Sequence, residues 1–211
     1  GVDDPASCPL IGRVMDSNPS HEVAVLGGES WVGSAVDRGT FSKELSRRVV
    51  RARAGAVRVT TLLTREPLVE DHIDLLVKHQ ISAVRGGLDN RGRSHRPAPP
   101  RPLHYGLWEI PGSLRLPGDR RFVLGGGRWN QAQRGILRAA AKSTVYHLVI
   151  DGSALAESTK RARHGLESTL RVASRLHQQG RLFMDTLIGA TERLTWNRPS
   201  TPSRSILRKA G

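Results

Sequence analysis

The chain has 211 residues, 33 Lys and Arg against 19 Asp and Glu, a formal charge of +14 and a single cysteine. That length suits one domain of ordinary size, or one domain with a tail, and Cys8 alone supports neither an internal disulfide nor a zinc cluster. No run approaches the roughly 18 to 20 apolar residues of a membrane helix, and Gly1-Val2-Asp3-Asp4 lacks the basic and apolar regions of a signal peptide. A soluble chain is therefore expected, with no membrane partner. Its compartment is left open, the cytoplasm being preferred to secretion. Because residue 1 is Gly rather than Met, a processed chain or a fragment is expected.

His21 to Gly27 places four apolar residues in a row between polar ends, the pattern of a strand buried on both faces. A helix follows, capped by Thr40, with Phe41, Leu45, Val49 and Ala52 at helical spacing and Gly55 as its stop. Val57 to Leu63 is a β-branched run and predicts a second strand. Pro67 opens a second helix, with Val69, Ile73, Leu76 and Val77 as its buried stripe and acidic residues crowding its first half. Ile81 to Val84 reads as a short strand.

Arg85 to Pro102 is rich in Gly, Pro, Arg and Ser, so a long exposed loop is expected. Leu107 to Pro111 and Ser113 to Leu116 look extended. Trp129, Ala132, Ile136, Leu137 and Ala140 mark a helix, and Val145 to Ile150 a buried strand. Two more helices carry Leu166, Leu170, Ala173 and Leu176, ending at Gly180, and then Met184, Leu187, Ile188, Thr191 and Leu194. Strands alternating with helices predict an α/β fold with mainly parallel strands over residues 1–196, followed by a basic tail rich in Pro, Ser and Arg over 197–211.

Several phrases carry a family resemblance: His21-Glu22-Val23-Ala24-Val25-Leu26-Gly27, Phe41-x-x-Glu44-Leu45, Asp74 to Gly86 ending in Arg85, Trp108-Glu109-Ile110-Pro111, and Tyr146-His147-Leu148-Val149-Ile150. In these the chain resembles the polysaccharide deacetylases (NodB homology, carbohydrate esterase family 4) over roughly residues 20–190. The resemblance implies an incomplete or distorted (β/α) barrel. In that family one Asp and two His hold a divalent metal, usually zinc, and the reaction hydrolyses acetyl groups on sugar polymers. The metal polarises the acetyl carbonyl and acidifies a bound water, an Asp takes its proton, and a His protonates the leaving group.

Residue by residue, the resemblance puts the two metal histidines at Leu26 and Ser30, followed by Trp31. Leucine binds no metal, and a neutral serine hydroxyl is a poor zinc ligand. The late catalytic histidine falls on Asp151, whereas Arg85 matches the arginine that orients the family's base. Leu26, Ser30, Trp31, Arg85, Glu109 and Asp151 are thus expected to mark a degenerate cleft with no catalytic residue, no metal site and no cofactor. Such a chain would bind a carbohydrate polymer, and an open sheet edge would invite a second copy or a preceding N-terminal strand.

Two other readings compete. An active deacetylase could use a rearranged site around Asp3, Asp4, His21 and Asp151. A basic module could bind nucleic acid or acidic polymers through Arg91, Arg93, Arg96 and Arg101. The second ranks lower, because the charge is spread along the chain and Arg outnumbers Lys 28 to 5, a bias that base composition alone produces. His147 and Asp151, four apart on a strand, are too distant to share an ion. His72 and His79 read as solvated groups on a charged helix, His95 and His104 as loop residues without a second ligand, Gly125-Gly126-Gly127 as a plain turn, and Trp31, Trp108 and Trp129 as core.

Overall fold

The computed structural model describes residues 21–33, 35–54, 58–64, 70–86, 99–116, 127–152, 155 and 160–196. Strand β1 (Val23–Leu26) is followed by a single helical turn, α1 (Glu29–Val32), and by helix α2 (Arg38–Ala54). Asp37 caps α2, its carboxylate accepting the Thr40 amide at 3.0 Å and the Thr40 hydroxyl at 2.6 Å. The cap is thus three residues earlier than Thr40, which serves as its partner. All four residues of the expected stripe, Phe41, Leu45, Val49 and Ala52, are buried.

Strand β2 (Val59–Leu63) precedes a 3-10 turn over Glu70–His72 and helix α3 (Ile73–Lys78). Here Ile73, Leu75 and Leu76 are buried, whereas Val77 is exposed. The tight turn rotates the stripe by one position, so Leu75 replaces Val77 in the core. Strand β3 (Ala83–Arg85) comes next, and strands β4 (Arg101–Pro102) and β5 (Trp108–Glu109) follow, separated by a 3-10 turn over His104–Gly106. The exposed loop expected from Arg85 to Pro102 therefore ends in an edge strand.

These strands form one sheet in the order β1, β2, β3, β5, β4, parallel throughout except for β4. A second, two-stranded parallel sheet joins β6 (Leu114–Leu116) to β7 (Leu148–Ile150). Helices α4 (Gly127–Lys142) and α5 (Lys160–Gln178) pack against each other beside it, and α6 (Leu187–Trp196) is the last helix described. The architecture is α/β with mainly parallel strands. The expected barrel is not closed among the described residues, because hydrogen bonding breaks between β5 and β6 and leaves two sheets.

Alternation divides the larger sheet into two faces. Val25, Leu62 and Val84 face α2 and α3 in one hydrophobic cluster with Trp31, Phe41, Leu45 and Leu76. On the other face Ala24, Thr61, Ala83 and Trp108 pair in register as a transverse row, all buried. Helix α6 lies across this face against β2 and β3, and the Trp108 indole Nε1–H donates to Thr195 Oγ1 at 2.9 Å. Small side chains in the middle of the row give the helix a flat seat.

Several stripe residues differ from expectation. Leu137 on α4 and Leu170 on α5 are about half exposed, and β7 is only partly covered, because two strands and two helices enclose a smaller core than a full sheet would. Met184 precedes α6 and is exposed. Gly180 ends α5 as expected, with φ +68° and its N–H donating to His177 O. Gly55, Val57, Pro67, Val69 and the tail from 197 onward lie outside the described residues.

Candidate binding cleft

The carboxyl ends of the parallel strands lie side by side, the position at which α/β sheets present their loops to ligands. Backbone hydrogen bonds fix the level of each end. Gly27 N donates to Leu63 O at 2.7 Å, Thr64 N to Arg85 O at 3.0 Å and Ile110 N to Val84 O at 2.8 Å. Gly27 has no room for a side chain, since an added Cβ would stand 2.8 Å from Val32 Cγ2 and 3.1 Å from Leu63 O.

In-register pairing sets Leu26, Leu63 and Arg85 in one row. All three are partly buried, and strand spacing separates neighbours by roughly 4.8 Å. The row lies beyond the seat of α6, on the same face. The floor at this point is therefore aliphatic, with one guanidinium at its side.

His147 stands beside it. Its Nδ1 is 3.4 Å from Ile110 O, a carbonyl that can only accept, so this nitrogen carries a hydrogen. Burial, seconded by the nearby charge of Arg85, lowers the His147 pKa below its ordinary 6.5, against the opposing effect of the Ile110 and Pro111 carbonyls. Its backbone is held on both sides by Ser113, whose N–H donates to His147 O at 2.8 Å and whose Oγ accepts from His147 N at 3.0 Å.

The other expected cleft residues go elsewhere. Ser30 is exposed on α1. Trp31 is buried in the core, its ring 5.7 Å from Phe41 and under the Arg48 guanidinium at 5.0 Å. Glu109 pairs with Val84 and so falls on the opposite face from Arg85, where it lies over the Cα of Gly86 and forms an ion pair with Arg101. Asp151 follows β7 and is engaged by Arg115 of β6 at 2.5 Å. Of the six positions, only Leu26 and Arg85 share the row.

The donor set does not fit the zinc site that the resemblance implies. Leu26 offers hydrocarbon, the Ser30 hydroxyl faces solvent, and Asp151 is neutralised by its arginine. Among the described residues no three His, Cys, Asp or Glu side chains converge. Asp3, Asp4, Cys8, Arg91, Arg93, His95, Arg96, Gly125 and Gly126 lie outside the described residues.

Two histidines correct the expectation of solvated side chains. His72 is 5% exposed and stacks on Phe41 with ring centroids 4.7 Å apart, while His79 Nε2 meets Ser46 Oγ at 3.0 Å. Both tie α3 to α2. The core assignment of the tryptophans holds for Trp31 and Trp108, which are buried, and for Trp129, which packs with Leu114, Leu116 and Ala132.

Sequence reasoning also passed over Glu22. Its carboxylate accepts from the Ile188 amide at 3.1 Å and from the Thr60 hydroxyl at 3.3 Å, joining β1, β2 and the first turn of α6. A lone acid before an apolar run carried no signal of this, because its partner is 166 residues away. No protein-family model, no curated protein and no solved structure matches the chain.

Proposed function

We propose that the chain is a non-catalytic protein of the polysaccharide deacetylase type, an incomplete barrel whose cleft holds a sugar polymer without hydrolysing it. The observation that carries this reading is the row Leu26, Leu63 and Arg85 at the strand ends. Where deacetylation would require imidazoles around an ion, this row offers aliphatic carbon beside one guanidinium. Apolar side chains suit the C–H faces of a pyranose, and Arg85 and His147 supply polar partners for its hydroxyl or acetamido groups.

The test combines composition, turnover and binding. After incubation with zinc and gel filtration, elemental analysis should find well under one equivalent of metal, and N-acetylglucosamine oligomers should release acetate only at the background rate. The same oligomers should bind, and Arg85→Gln should weaken that binding. Stoichiometric zinc with turnover would overturn the reading, as would the absence of any oligomer binding at about 1 mM.

A further inference from the structure

A groove of about 380 Å³ opens between α4 and the segment leading into β7; Leu26, Leu63, Arg85 and His147 are not in its lining, and Ser113, which holds the His147 backbone, stands between it and the cleft at the strand ends. Arg134 and Arg138 stand on its α4 wall, one helical turn apart, with Gln131 preceding them. Thr144, Tyr146 and Ser113 line the other side. Like charges four residues apart on a helix repel each other and weaken it slightly. Several arginines elsewhere are compensated: Arg38, Arg47, Arg101, Arg115 and Arg193 each pair with a carboxylate. In the groove no described carboxylate answers Arg134 or Arg138, and the Arg134 Nε–H turns back to Asn130 O at 3.3 Å.

Tyr146 forms the floor. Its ring lies directly on the Cα of Gly135, where an added Cβ would come within 2.3 Å of Cζ. Burial pushes its phenol up to about 12, so the hydroxyl keeps its proton at every physiological pH and remains a donor. Two guanidiniums, a fixed phenol donor, a carboxamide and two hydroxyls form a surface for a compact dianion attached to a hydroxylated body.

We infer that this groove binds the phosphate group of a small phosphomonoester, of the size and polarity of a hexose monophosphate, with Arg134 and Arg138 as the anion clamp and Tyr146 as a third donor. Guanidinium pairs match the geometry of phosphate oxygens, and the volume admits one sugar ring beyond the phosphate.

Isothermal titration of the full chain with a hexose monophosphate, inorganic phosphate and the free hexose tests this directly. The monophosphate should bind more tightly than inorganic phosphate, and the free hexose should not bind. Arg134→Gln combined with Arg138→Gln should weaken the monophosphate at least tenfold, and Tyr146→Phe severalfold. Arg175→Gln, on an exposed turn of α5, should leave it unchanged. Circular dichroism melts establish that each variant folds, and the two arginine positions are exposed enough to tolerate Gln. Failure to bind the monophosphate at about 1 mM, affinity indifferent to Arg134 and Arg138, or tighter capture of a long polyanion at the same groove would each overturn the assignment.

Discussion

Gly165 on α5 has no space for a side chain: an added Cβ would meet three atoms of the Trp129 ring at 2.6 Å. Replacing a helical Gly by Ala ordinarily stabilises by up to about 1 kcal/mol. A rigid indole cannot yield by nearly an ångström, so overpacking should win, and Gly165→Ala should destabilise by about 1–3 kcal/mol in urea denaturation. Titration supplies a second expectation. His147 and His79 both have pKa values lowered below 6.5, chiefly by burial. Below that value the unfolded chain binds more protons than the folded one. Stability should therefore be level above about pH 6.5 and should fall as pH drops through the folded values. His147→Gln should flatten that slope when urea midpoints are compared across the window. Asp37 and Asp74 act in a separate, lower range. Hydrogen bonds from Thr40 and Arg38 respectively hold these carboxyls below 3.8, so their contribution is present above that value and lost only in stronger acid. The long-range contacts among these, Gly165 with Trp129 and Arg38 with Asp74, were not legible in the sequence, because packing alone brings such partners together; Asp37 and Thr40, three residues apart, are a local pair.

Elements fared better, and the reason lies in periodicity. The stripe Phe41, Leu45, Val49 and Ala52 of α2 was readable because a long helix averages out any single ambiguity. The short α3 was not, since a leading 3-10 turn shifts the register and exchanges Val77 for Leu75. Parallel pairing of β1, β2 and β3 followed from their alternation with helices, whereas the break between β5 and β6 has no local signature. Of the candidate cleft, Leu26 and Arg85 were legible as strand ends. Trp31 and Glu109 were misplaced because alternation and the turn into α1 send them to the other side of the sheet. Helix α6 is tied to the sheet through its first turn, where the Ile188 amide donates to the Glu22 carboxylate. Glu22→Ala should cost about 0.5–2 kcal/mol, the range for a lost helix cap. Amide hydrogen exchange should locate the added opening in α6 and in the start of β1, with α2 unchanged.

At the scale of the whole molecule, the charge of +14 invites a polyanion, yet its placement disperses it. In α2, β4, β6, α5 and α6 at least one arginine pairs with a nearby carboxylate. Binding to random duplex DNA should accordingly be weak, with a slope of log K against log salt shallower than about −3, the value for roughly three neutralised phosphates. A steep slope would mark a concentrated basic track and revive the nucleic-acid reading. No described helix is long and apolar enough to cross a membrane. The seating of α6 on the row Ala24, Thr61, Ala83 and Trp108 bears on how the protein comes into being. During synthesis the sheet's strands leave the ribosome long before the helix that shields them, so one side of the nascent sheet stays wet and adhesive until Leu187–Trp196 emerges. Non-local closure of this kind is slow, so protection of this side of the sheet comes late in folding.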